Sequence, residues 1–243
     1  MSTATLERVK APISIPRKSV EDRAFSIPAE AHTLAGFREW ILNAALPEEC
    51  HVSYVSGEIF IDLSPERIGT HNAVKSEINY ALVHLTRNSD RGKYFPDGVL
   101  VSNELAAVSN EPDAIYVLSS SLDSGKARLV PSADGKDFVE IEGTPDMVCE
   151  VLSPSSIRKD KVKLPDNYFR AGITEFWLVD ALGNDLQFTI FHRARESFEA
   201  SPVQDGWIES QVFERRFRLE RYLDQFGTWV YRMHVEPLSP PTT

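Results

Sequence analysis

The chain has 243 residues, 42% hydrophobic and 26% charged, a globular composition that excludes disorder and collagen-like repeats. With 26 Lys and Arg against 36 Asp and Glu the net charge is −10, so the molecule as a whole repels polyanions, and nucleic-acid or phosphate binding needs a local basic patch or a metal. No run of about 18 apolar residues is present to cross a membrane, and Cys50 and Cys149 form no CxxC or zinc spacing, so a reducing cytoplasmic setting is expected, with no membrane partner.

Residues 1–28, with Pro12, Pro16 and Pro28, are expected to form a flexible N-terminal arm, residues 29–236 a single domain and residues 237–243 a C-terminal tail. From Thr33, an N-cap residue type, Leu34, Phe37, Trp40, Ile41 and Ala44 recur at helical spacing up to Pro47. HVSYV, Ser56-Gly57 and EIFIDL read as a β-hairpin, with Ile59, Ile61 and Leu63 on one face and Glu58, Phe60 and Asp62 on the other. Glu58 reads most simply as an exposed acid at a strand start. A long helix is expected from near Thr70, its stripe running His71, Val74, Ile78, Leu82 and Leu85.

YFPDGVLVS and residues 113–118 read as short strands separated by a loop around Asn110, and the polar stretch 119–142 as an inserted hairpin or excursion. TPDMVCEVLS is the strongest buried-strand signal: Met147, Cys149 and Val151 share one face, Asp146, Val148, Glu150 and Leu152 the other. A helix over 156–171, stopped by Gly172, and the strand EFWLVD complete a strand–helix–strand unit. LQFTIFHR, SQVFERRFRLERYL and TWVYRMHV add antiparallel strands, so the fold class is α/β, a mixed sheet flanked by helices.

Two acids in or beside core strands need a reason. Mg²⁺ or Mn²⁺ takes carboxylate oxygens from adjacent strands, so Asp113 and Glu150 form a candidate metal pair. Asp146 also follows a proline and competes with Asp113. Along one strand, however, positions 146 and 150 stand about 13 Å apart, whereas a neighbouring strand is about 5 Å away, which favours Asp113. The bland alternative is that Glu150 is salt-bridged to a structural lysine and that His71 is a satisfied core histidine. Arg158, Lys159, Lys161 and Lys163 are the densest positive run near the acids. On a continuous helix Lys159 and Lys163 share a face, although Pro165 breaks the donor pattern.

Taken in order, GEIFIDLSPE, THNAVKSEIN, EPDAIYV, TPDMVCEVLSPSS, RKD and YFRAGITEFWLVD resemble the Uma-type restriction endonuclease family, over about residues 50–192. That resemblance implies a restriction-endonuclease-like fold of the PD-(D/E)XK kind and hydrolysis of nucleic-acid phosphodiesters, DNA foremost, with Mg²⁺ or Mn²⁺. It makes Asp113 and Glu150 the metal-binding acids and raises His71 and Glu58 as further polar site positions. The motif lysine two after the glutamate is replaced by Leu152, and the helical lysine expected four before Tyr168 is replaced by Leu164. A related subgroup resembles this sequence in carrying a Lys-Asp pair, here Lys159-Asp160, which implies Lys159 as the first catalytic candidate and Lys163 as the second. A homodimer is a further expectation. The rival expectations are a non-catalytic scaffold and a metal-dependent hydrolase of a small phosphorylated substrate.

Overall fold

A computed structural model describes residues 25–44, 46 and 50–238. Most of the expected N-terminal arm and C-terminal tail lies outside the described residues. Helix α1 (Leu34–Asn43) starts where Thr33 Oγ1 accepts the Gly36 N–H at 3.1 Å. Strands β1 (His51–Val55) and β2 (Glu58–Asp62) form the expected hairpin, its turn made by Ser56 and Gly57, both at positive φ. Helix α2 (Ala73–Thr86) follows a wide π-turn at Ile68–Asn72. YFPDGVLVS breaks at Asp97-Gly98, so that β3 (Gly92–Pro96) and β4 (Leu100–Asn103) join different sheets.

The chain continues through β5 (Val108–Asn110), β6 (Ala114–Leu118) and the short α3 (Ser119–Asp123). The hairpin expected within 119–142 is β7 (Ala127–Pro131) and β8 (Phe138–Gly143), and β8 also pairs in parallel with β4. Next comes β9 (Met147–Val151), buried throughout, a second π-turn at Lys159–Lys163, and α4 (Leu164–Arg170). The last strands are β10 (Glu175–Asp180), β11 (Gln187–Arg193), β12 (Phe198–Ala200), β13 (Val203–Gln204), β14 (Trp207–Ser210), β15 (Arg215–Leu223) and β16 (Trp229–Pro237). SQVFERRFRLERYL is divided because Glu214 takes a positive φ between β14 and β15.

The fold is α/β, with the strands in three sheets. The first runs β2-β1-β5-β4-β8-β7, the second β12-β11-β10-β9-β6-β3, and the third, antiparallel, β13-β14-β15-β16. The second sheet is the core layer. Alternation along β9 sends Met147, Cys149 and Val151 toward α2, whose Val74, Ile78 and Leu82 pack between that sheet and Phe217, Leu219 and Met233 of the third. Val148 faces the other way, where Val55, Val108, Leu164 and Tyr168 bring the first sheet and α4 onto the opposite face. Glu175 anchors the third sheet: it accepts the Ser210 hydroxyl at 2.7 Å, the Val212 N–H at 2.9 Å and the Gln211 N–H.

The β9–α4–β10 crossover carries the expected helix stop. Gly172 has φ of +84°, and the Gly172 and Ile173 N–H groups close back on the carbonyls of Phe169 and Tyr168, at 3.0 and 3.2 Å. Gly172→Ala is expected to cost about 1–2 kcal/mol, since an L side chain in this region is strained; chemical denaturation measures it. Pro165 is accommodated because the π-turn ends just before it. There the Leu164 N–H reaches the Lys159 carbonyl, and the proline, which has no N–H to donate, takes its place in the first turn of α4.

Candidate active site

Strand register brings the two candidate acids together. β6 and β9 pair antiparallel with Ala114 opposite Cys149, and one step further along the same register Asp113 stands opposite Glu150. Asp113 Oδ2 accepts the Val151 N–H at 2.6 Å, which ties the carboxylate to the end of β9. Glu150 is 2% exposed and the Asp113 side chain 12%. Both sit in a cavity of about 390 Å³, walled by the β1–β2 hairpin, the 64–67 segment, the start of α2 and the 153–156 loop.

Glu150 is fixed through one oxygen. Its Oε1 accepts Asn110 Nδ2 at 2.9 Å and the Tyr168 hydroxyl at 2.5 Å. Asn110 is the hub of this network, because its Oδ1 in turn accepts Lys159 Nζ at 3.0 Å and the Ser53 hydroxyl at 2.6 Å. Burial holds the Glu150 carboxyl well above the usual carboxylate range, opposed by the positive charge of Lys159. Burial likewise pushes Tyr168 up, helped by the charge of Glu150. Lys159 Nζ lies 2.8 Å from Asp160, and although burial acts to discharge it, Glu150 and Asp160 hold it protonated, above its usual range.

Asp113 has a second set of neighbours. His71 Nε2 stands 3.8 Å and Lys75 Nζ 3.6 Å from its Oδ1. Burial raises Asp113 to about 6, with His71 and Lys75 pulling the other way. Glu66 organises these partners: it hydrogen-bonds His71 Nδ1 at 2.8 Å and Asn72 Nδ2 at 2.9 Å, and it pairs with Lys75, which also reaches Asp97 at 2.7 Å. Burial opposes ionisation of Glu66, yet Lys75, Asn72 and His71 bring it down to about 2. His71 thus lines the cavity from the π-turn ahead of α2, whereas Val74, Ile78 and Leu82 of the predicted stripe enter the core.

The remaining candidates lie elsewhere. Glu58 pairs with Lys163 and, at 3.2 Å, with Arg158, and neither Glu58 nor Lys163 lines the cavity. Lys163 holds Glu58 below its ordinary range at the surface. The face shared by Lys159 and Lys163 on a continuous helix is therefore not realised: one ammonium enters the cavity and the other pins β2. Asp146 is enclosed by the Leu118 N–H at 2.8 Å, the Ser121 hydroxyl at 3.0 Å and Lys126 Nζ at 2.9 Å, a structural arrangement. Asp146→Ala is expected to cost about 3 kcal/mol through these orphaned partners, with the activity of the folded fraction unchanged; a melting curve beside an assay at low temperature checks both.

Sequence reasoning missed Asn110, Glu66, Lys75 and Asp97. A signal existed for Lys75, four residues after His71 and so on the same helix face. Asn110 gave none, lying in a segment read as a loop. Among the described residues no group of three or more His, Cys, Asp or Glu is placed to hold a metal ion. The Asp113–Glu150 pair offers two carboxylates, a donor set suited to a hard cation that keeps several waters.

A family model described as Uma2, "Putative restriction endonuclease", matches residues 35–223. The chain belongs to the Uma2 family. Both acids, His71 and Lys159 fall inside the Uma2 match, and β16 lies beyond it. A solved structure described as a putative nuclease belonging to DUF820 from Anabaena variabilis covers 74% of this chain and 90% of its own, with 22% identity and a TM-score of 0.55. That likeness shows a shared fold. No curated protein matches the chain. No helix among the described residues is long and apolar enough to cross a membrane.

Proposed function

We propose that this Uma2 chain is a metal-dependent nuclease in which Asp113 and Glu150 hold Mg²⁺ or Mn²⁺. The observation that carries the reading is the pair itself: the buried Glu150 and the largely enclosed Asp113 stand opposite each other across neighbouring strand ends at one cavity, both raised by burial and thus in want of a cation. A cation there supplies Lewis-acid stabilisation of the charge that develops on phosphoryl oxygens.

The chain's own groups supply the rest. Asn110 and Tyr168 occupy Glu150 Oε1, so the carboxylate cannot rotate freely and its other oxygen is left for the cation. Lys159 lines the cavity, while Leu152, two residues after Glu150, is fully buried, so Lys159 is the candidate for the motif lysine's part. Held protonated, it donates to and orients a water or a phosphate oxygen, and does not serve as a base. His71, its Nδ1 engaged by Glu66, turns Nε2 toward Asp113 and the cavity, where it can hold a second polar atom of the substrate.

The test is incubation of the purified protein with labelled polynucleotides in Mn²⁺, Mg²⁺ or EDTA. Cleavage that needs the metal is expected. Absence of cleavage in every condition would leave the scaffold reading, and hydrolysis confined to small phosphate esters would favour the small-substrate hydrolase.

A further inference from the structure

The cavity also bears on what kind of polynucleotide it admits. Its acids outnumber Lys and Arg seven to three: beyond Asp113 and Glu150, the carboxylates of Asp62, Glu66, Asp97, Glu111 and Asp160 also line it. Of the three cations, Lys75 and Lys159 are already paired with carboxylates. Hydrogen bonds brace the cavity wall at two places. Ser155 donates to Asp62 at 2.5 Å and so joins the end of β2 to the loop after β9, while Glu66 ties the 64–67 segment to the π-turn ahead of α2. The wall includes the apolar surfaces of Phe60, Ile61, Pro65 and Pro154, and beside it Leu63 and Ile68 stand 60% and 80% exposed.

A duplex fits these features poorly. It is stiff over tens of nanometres and carries a phosphate for about every 1.7 Å of its axis, both strands counted. Bringing one linkage to Asp113 and Glu150 would press flanking phosphates of both strands onto the surrounding acids, while Arg158, Lys161 and Lys163 of the nearby basic run are each already paired with a carboxylate. A single strand can turn away after one linkage, and its unstacked bases find apolar surface to rest on. We infer that the cavity receives one nucleotide of a single-stranded nucleic acid and excludes paired duplex, an inference that rests on the nuclease reading and deepens it.

The experiment compares one 30-nucleotide oligomer, end-labelled, as a single strand and as a blunt duplex with its complement, incubated with the full chain and Mn²⁺ and resolved on a denaturing gel. Single-strand cleavage is expected to be at least about tenfold faster, because opening a pair costs the duplex free energy that the single strand does not spend. Duplex cleavage at an equal or greater rate would overturn the inference and leave the nuclease reading standing. Cleavage of neither form would overturn both.

Discussion

Replacing Glu150 with glutamine is expected to lower metal-dependent cleavage by at least about 10³-fold while leaving the protein folded. Glutamine keeps a carbonyl oxygen to accept from Asn110 and Tyr168, so the buried network survives, but the anionic oxygen needed by the cation is gone. The same variant has a stability signature with a definite sign. Glu150 binds its proton more tightly folded than unfolded, so its contribution is fully present below the ordinary value of 4.5 and is lost as the pH rises toward the elevated folded value. Asp113 behaves alike over the window from 3.8 to about 6. Above about pH 5, where depressed carboxylates such as Glu66 are ionised in both states, metal-free wild type should therefore lose melting temperature as the pH rises, and Glu150→Gln should lose less. Wild-type cleavage by the variant, or a melting temperature that falls as steeply in the variant as in wild type above about pH 5, would refute the assignment.

The second large effect separates the two lysines. Lys159→Met is expected to lower cleavage by about 10²-fold or more, because it removes the buried ammonium beside Glu150. It should also cost about 3 kcal/mol, since Asp160 and Glu150 lose their buried counter-charge. The assay therefore belongs at a temperature where circular dichroism shows the variant folded. Lys163→Met removes only a surface partner of Glu58 and should change cleavage less than about threefold, in keeping with the small worth of exposed ion pairs. Equal losses in the two variants would mean that the cavity placement of Lys159 is not what matters.

Much of this arrangement was legible in the sequence because it rests on short-range rules. The hairpin followed from Ser56-Gly57 between alternating runs, the strand carrying Glu150 from the alternation of Met147, Cys149 and Val151, and the helix stop from Gly172. The choice of Asp113 over Asp146 came from the spacing between strands against that along one, and the structure sends the two to different environments. What escaped depends on tertiary assembly. Three sheets, where a central mixed sheet with additional antiparallel strands was expected, arise because single residues at positive φ, such as Gly98 and Glu214, redirect chain that reads as continuous strand. The π-turns under His71 and Lys159 depart from the 3.6-residue period that the helical reading assumes. Asn110 carries no local signature: its role exists only once Ser53, Glu150, Lys159 and Tyr168, from four distant segments, converge on it.

Whether Asp113 and Glu150 form a cation site is decided by calorimetric titration of Mn²⁺ into wild type and Asp113→Asn. Asparagine preserves an acceptor for the Val151 N–H and removes the charge. Saturable binding is expected in wild type, lost in the variant, and weakening in wild type below pH 6, where the proton on Asp113 competes with the cation. Wild-type protein that takes up no Mn²⁺ at pH 8, or a variant that binds it as tightly as wild type, would contradict the account and make the two acids structural.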